Sequence, residues 1–120
     1  SPGAQVMAAA FETEAEVLRV LGHPTRLALL TLIATAEQSV GAIETASGIS
    51  QPGLSQQLAL LRKAGLVATR RAAKQVYYRL DPAGFAATTG LLQSFAGAAA
   101  PAAKAPRRHA TSAAMFAKIL

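Results

Sequence analysis

The sequence predicts a mainly α-helical domain with one small β-hairpin, and three observations carry that expectation. Apolar residues recur at helical spacing up to Ala64, the period switches to alternation between Leu66 and Leu80, and helical spacing then returns. The chain has 120 residues, the usual size of one domain core with tails. Its hydrophobic content of 52% is rich in alanine, which favours helix over sheet, so leucine, isoleucine and valine must supply the core.

The first helix is read over Phe11 to Leu21, where Phe11, Ala15, Val17, Leu18 and Leu21 form an apolar face and the glutamates lie opposite and early. Gly22-His23 breaks it. Pro24 suits the first turn of a second helix through Leu27, Leu30, Leu32 and Ile33, which leaves His23 in the connection. Ser39 is a good N-cap for a short helix, Val40 to Ala46, closed by Ser47-Gly48, and Ile49 plugs the core in the turn. Ser50 is the next N-cap, with Pro52 near the helix start. The apolar set Leu54, Leu58, Leu60 and Leu61 then runs to a stop at Gly65. Two helices joined by a tight glycine-containing turn have the layout of a helix-turn-helix.

Two strands follow, from Leu66 to Arg71 and from Gln75 to Leu80, joined through Ala72-Ala73-Lys74 as a short hairpin. Asp81-Pro82 caps a last helix bearing Phe85, Leu91, Leu92 and Phe95, weakened in its middle by Thr88, Thr89 and Gly90. The order is four helices, two strands and one helix: a winged helix-turn-helix. Residues 11–96 make this domain. Residues 1–10 read as a flexible N-terminus or a fusion scar, and residues 97–120 as an alanine-, proline- and base-rich tail with an apolar end suited to a short terminal helix.

Charge is distributed unevenly along the chain. The formal net charge is +6, yet residues 1–49 carry −3, residues 50–80 carry +6 with no acid at all, and the remainder carries +3. Such polarity within one small domain suits a surface that meets a polyanion, the plainer account being a solvated basic face. With no cysteine in the sequence, disulfide frameworks, thiolate metal sites and thiol redox chemistry are excluded. No Ser-His-Asp, phosphate-loop or paired-carboxylate arrangement points to an enzyme. No metal site or cofactor is expected. The apolar stretches are too short and too interrupted by charge to span a bilayer, so the expectation is a soluble cytoplasmic protein with no membrane partner.

Double-stranded DNA is the partner this pattern suggests. The second helix of the motif presents Ser50, Gln51, Ser55, Gln56 and Gln57 where a major groove would lie; glutamine can pair bidentately with adenine, and serine serves base edges or phosphates. Arg62 and Lys63, toward its end, suit backbone phosphates. The hairpin adds Arg70, Arg71, Lys74, Gln75, Tyr77 and Arg79 as a wing able to track phosphates or enter a minor groove. Plainer accounts exist for some of these: Gln56 and Gln57 as solvent-facing helix formers, and Arg79 as an ion-pair partner of Asp81. A protein-interaction module or a non-specific nucleoid-type binder are the alternatives to a sequence-specific regulator.

The stretches Leu21-Gly22-His23-Pro24-Thr25-Arg26-Leu27, Ser39-Val40-Gly41-Ala42-Ile43-Glu44, Ser50 to Arg62, Gly65-Leu66-Val67 and Tyr77-Tyr78-Arg79-Leu80 together resemble the ArsR/SmtB family of bacterial repressors, over about Val17 to Phe95. The resemblance implies a homodimer joined mainly through the first and last helices, with Phe11, Val17, Leu18, Phe85, Leu91, Leu92 and Phe95 at the interface, bound to an imperfect palindrome in an operator. It also implies repression relieved by an effector. The wording is similar to the BigR/SqrR-like persulfide-sensing branch, whose cysteine pair falls here on Thr31 and on Thr88, Thr89 or Ser94. Thiol sensing is therefore chemically closed to this sequence. His23 matches a position that the family uses structurally. For an effector, a small organic molecule, a partner protein or none at all remain, the first drawing on the small residues Ala86 to Gly90 of the last helix.

Overall fold

A computed structural model describes residues 2–99. Six α-helices and a three-stranded sheet follow in the order α1 (Pro2–Ala9), α2 (Glu12–Leu21), α3 (Pro24–Thr35), β1 (Gln38–Ser39), α4 (Val40–Ser47), α5 (Gly53–Lys63), β2 (Val67–Ala72), β3 (Gln75–Leu80), a 3-10 turn (Pro82–Phe85) and α6 (Ala86–Ala99). This is the winged helix-turn-helix that the sequence predicts, with two additions.

The first addition is α1. Gly3 to Ala9, read from the sequence as a flexible N-terminus or scar, are helical yet wholly exposed. The segment has no buried face, so no periodicity announces it. The second is β1, whose Gln38 and Ser39 pair antiparallel with Tyr78 and Tyr77, so the sheet order is β1-β3-β2. Two residues are too few to show alternation. The Gln38 side chain secures the segment by donating Nε2 to the Leu32 carbonyl at 2.6 Å.

Local chemistry sets the helix ends. His23 caps α3, its Nδ1 accepting from the Thr25 amide at 3.2 Å, and Pro24 takes the first helical position. The Ser39 hydroxyl accepts from the Ala42 amide at 3.1 Å, and Gly48 closes α4 in the left-handed region at φ +72°. At the end of α5, Gly65 adopts φ +78°, its amide donates to Arg62 and the Leu66 amide donates to Leu61, a Schellman closure that turns the chain into β2.

Ser50 is not the N-cap of α5. The helix begins at Gly53, because Pro52 disfavours helical geometry at the residue before it; the Gln51 side chain instead accepts the Ser55 amide at 3.0 Å. The hairpin loop is also one residue shorter than expected. Ala72 pairs with Gln75, and the two-residue turn Ala73-Lys74 has both residues at positive φ, +49° and +68°. Asp81 accepts from the Ala83 amide at 3.2 Å and so caps the 3-10 turn that leads into α6. Helix α6 continues through Gly97 to Ala99, past the expected domain boundary; the rest of the expected tail lies outside the described residues.

The core sits where α3, α4 and α5 meet the sheet. Leu29, Ile33, Ile43, Leu54, Leu58, Leu61 and Leu66 are completely or almost completely buried, with Ile49, Tyr78, Leu80 and Phe85 packed around them. Removing such side chains from water at ~1.5–3 kcal/mol each is the main force that holds α5 against its scaffold. Helix α6 packs on α2. The 3-10 turn presses Gly84 so closely on Gly65 that a Cβ at position 84 would lie 1.9 Å from the Gly65 carbonyl oxygen. Among the described residues, no single helix is long and apolar enough to cross a membrane.

Candidate nucleic-acid interface

Helix α5 buries Leu54, Leu58 and Leu61 at i, i+4 and i+7, which turns Ser55, Gln56, Ala59, Arg62 and Lys63 toward solvent. Gln51 and Ser50 are exposed just before the helix. Gln51 and Ser55 form one unit, since Gln51 Oε1 accepts both the Ser55 amide and, at 2.7 Å, the Ser55 hydroxyl. The Gln56 backbone amide donates to the Pro52 carbonyl at 3.2 Å, and its side-chain carboxamide makes no hydrogen bond to a described residue. The Ser50 carbonyl accepts the Leu54 amide at 3.0 Å.

Gln57 departs from the sequence expectation. It is half-buried and turns inward, where its Oε1 accepts from Arg26 Nη1 at 3.1 Å. One residue along a helix is a rotation of about 100°, enough to move Gln57 off the edge that Gln56 occupies. Arg62 and Lys63 stand exposed in the last turn, where cations also favour the helix dipole. Part of the Lys63 charge acts on the protomer's own acidic helix. The Glu16 carboxyl is held below its ordinary value first by a hydrogen bond from Arg19 and, more weakly, by Lys63.

The wing divides into a tied root and a free edge. Arg70 pairs with Glu37 at 2.6 Å and stacks over the Tyr77 ring, 4.5 Å from its centroid. The hydrogen bond from Arg70, with Arg79 contributing charge, holds the Glu37 carboxyl below the usual carboxylate range. Arg70 and Tyr77, both expected as wing contacts, are thus engaged with each other, and Arg70 also with Glu37. Arg71, Lys74, Gln75 and Arg79 are exposed, and among the described residues none of the three cations there forms an ion pair. Arg79 does not pair with Asp81, whose carboxylate is occupied as a cap. Sequence reasoning missed Glu37 and Arg26 because their partners lie 33 and 31 positions away in the chain.

The residues expected at a dimer interface also separate. Phe11, Leu18, Leu92 and Phe95 are exposed by 45, 38, 48 and 61%, and Val6 and Met7 of α1 by 72 and 70%. Val17 is buried in the chain's own core, whereas Phe85 packs against that core but stays partly exposed, and Leu91 is half-buried. On α6, the Thr88 hydroxyl is buried without a hydrogen-bond partner among the described residues. Ser94 donates to the Leu91 carbonyl and Thr31 to the Leu27 carbonyl. Among the described residues, no group of three or more His, Cys, Asp or Glu is placed to hold a metal ion.

Comparison with known proteins agrees with this geometry. The family profile "Bacterial regulatory protein, arsR family" matches residues 23–69, from the His23 cap to the middle of β2. The biofilm growth-associated repressor of Xylella fastidiosa is 51% identical over 69 residues, covering 58% of this chain and 60% of the relative, so the match spans less than two thirds of that protein. The crystal structure of the transcriptional repressor BigR from Xylella fastidiosa aligns with a TM-score of 0.60 and 39% identity, covering 82% of this chain and 99% of that one. The homodimeric winged helix-turn-helix DNA-binding domain of a possible ArsR-family transcriptional regulator from Mycobacterium bovis aligns with a TM-score of 0.61 and 34% identity, covering 78% and 87%. With the family profile matched from the His23 cap into β2 and whole-domain likeness to regulators at 34–39% identity, this chain belongs to the ArsR family of bacterial regulatory proteins.

Proposed function

We propose that the protein is a sequence-specific DNA-binding transcriptional regulator, a homodimeric repressor that reads an imperfect palindrome. Helix α5 enters the major groove and the β2–β3 hairpin lies along the flanking backbone. The observation that carries this reading is the polar edge Gln51-Ser55-Gln56, exposed along the start of a helix whose opposite face is core, within a stretch that has no acid from Ser50 to Leu80. Base-edge hydrogen bonding falls to that edge, and phosphate contact to Arg62, Arg71, Lys74 and Arg79.

Dimerisation is supported by the exposed aromatic and aliphatic side chains of α2 and α6, which pack on each other within the protomer and leave Phe11, Leu18, Leu92 and Phe95 uncovered. A related regulator of known structure is itself homodimeric. Two recognition helices related by a two-fold axis call for half-sites one helical turn apart, ~34–36 Å. Regulation in this reading does not run through thiols, which the sequence lacks. A small organic effector would find a polar atom to address in the unpartnered Thr88 hydroxyl.

The test is selection of bound sequences from random duplex DNA, followed by titration of the selected and a scrambled duplex at two salt concentrations. An inverted repeat bound well above the scrambled control is the expected result. Gln56→Ala is expected to cost about 1–3 kcal/mol at one position of each half-site, whereas Arg71→Ala weakens every sequence alike and reduces the salt slope by about 1. Equal binding of both duplexes that collapses with salt would replace this reading with a general basic binder.

A further inference from the structure

We propose that Arg26 is a positioning residue for DNA recognition: it fixes the rotation of α5 through Gln57, and so sets base selectivity without touching DNA. The inference rests on the DNA-binding reading above and adds to it a residue outside the expected contact set.

Arg26 is 8% exposed, yet among the described residues no carboxylate pairs with it. A buried guanidinium needs its charge and its donors satisfied, and here two acceptors on different elements do so. Arg26 Nε donates to the Val20 carbonyl, and Nη1 donates to Gln57 Oε1 at 3.1 Å. Val20 lies in the last turn of α2, where carbonyls lack helical partners. The Gly22 amide takes the Leu18 carbonyl and the His23 amide takes that of Leu21, while Arg26 satisfies Val20. The negative end of the α2 dipole thereby offsets the buried charge.

The planar fork holds both acceptors in one fixed relation, so the end of α2 and the inner face of α5 are locked to each other. Apolar packing of Leu54, Leu58 and Leu61 secures the position of α5 but is not directional. The hydrogen bond to Gln57 supplies the direction. Gln57 is the immediate neighbour of Gln56 and two residues from Ser55, so a small rotation of α5 that stretches the Arg26 bond displaces the outward edge by the same angle. Because α2 also bears the exposed Leu18 of the dimer face, the same tether relates each recognition helix to the two-fold axis.

The experiment compares wild type with Arg26→Lys, Gln57→Leu, Gln57→Glu and the Arg26→Lys/Gln57→Leu double variant in the full chain. Thermal melts, and affinities for the selected palindrome and a scrambled duplex, are measured for each. Gln57→Leu and Arg26→Lys are expected to lower the ratio of palindrome to scrambled affinity tenfold or more, while scrambled binding and its salt slope stay unchanged. Gln57→Glu keeps the acceptor and retains the wild-type ratio. The double variant loses no more than Arg26→Lys alone, as two ends of one interaction require. An unchanged ratio in folded Gln57→Leu, or equal losses on both duplexes, overturns the proposal even if Arg26→Lys fails to fold. A wild-type protein that does not distinguish the two duplexes overturns the DNA reading itself, and that result is separable because it appears before any substitution is made.

Discussion

Replacing Gly84 by alanine is a small chemical change at a place where the structure leaves no room. The added Cβ would lie 1.9 Å from the Gly65 carbonyl oxygen, 2.7 Å from its carbonyl carbon and 3.3 Å from the Leu66 Cα. Ordinary carbon contacts begin near ~3.5 Å, so the 3-10 turn and the end of α5 must part by about 1.5 Å. Both sides of the contact are backbone, and no rotamer change relieves it. Overpacking of this kind costs ~1–3 kcal/mol, and a backbone-to-backbone clash belongs at the upper end. In a domain of this size each kcal/mol moves Tm by ~4–8 °C, so Gly84→Ala is expected to melt roughly 12–24 °C below wild type. The assay is circular dichroism at matched protein concentration, because the proposed dimerisation would make Tm concentration-dependent. Gly41→Ala is the control. A Cβ at Gly41, in α4, meets nothing within 4 Å, and loss of glycine there is expected to raise stability by up to about 1 kcal/mol. A Gly84→Ala protein melting within about 2 °C of wild type would refute the reasoning.

Two further outcomes follow from the wing. Ala73 holds φ +49° at its tip, a left-handed conformation that costs a residue with a Cβ ~1–2 kcal/mol, of which glycine's greater chain entropy returns about half; Ala73→Gly is therefore expected to gain ~0.5–1 kcal/mol in urea unfolding, and a loss would show the turn to be different. At the root, Arg70 lowers the Glu37 carboxyl, so the pair contributes throughout the range above the ordinary glutamate value and is lost only as pH falls through the lower, folded-state value. Titration of the Glu37 carboxyl by NMR is expected to move upward in Arg70→Gln, and identical titration in both proteins would remove the ion pair from the account.

What was legible in the sequence was whatever local chemistry encodes. Pro24 after His23, Ser39 before Val40, and Gly48 and Gly65 after their helices each carry their own backbone preference, and each boundary lies where those preferences put it. The outward polar edge of α5 was legible for the same reason: once Leu54, Leu58 and Leu61 face inward, Ser55 and Gln56 must face outward. Gln57 was not, because its direction is decided by a buried arginine far away in the chain. Val17 illustrates the converse limit, since an apolar residue on a helix does not reveal whether its own core or a second subunit covers it. Helix α1 escaped because exposed alanine leaves no periodic trace, and β1 because pairing with β3 is a tertiary fact.

The pairing of Gln51 with Ser55 restricts what Gln51 could read in the proposed DNA complex. A backbone amide can bond only to an acceptor, so the Ser55 amide identifies the Gln51 atom it meets as the carbonyl oxygen, and that oxygen also takes the Ser55 hydroxyl. Gln51 is left with an amide nitrogen that can only donate. In the major groove that nitrogen complements N7 or O6 of guanine, N7 of adenine or O4 of thymine, and it meets donor with donor at the amino groups of adenine and cytosine. Gln56, with both ends free, keeps the two-way pattern that matches adenine. In the proposed interface, Gln51 and Gln56 are therefore unequal letters in one code, one able to read acceptors alone and the other able to read donor and acceptor together.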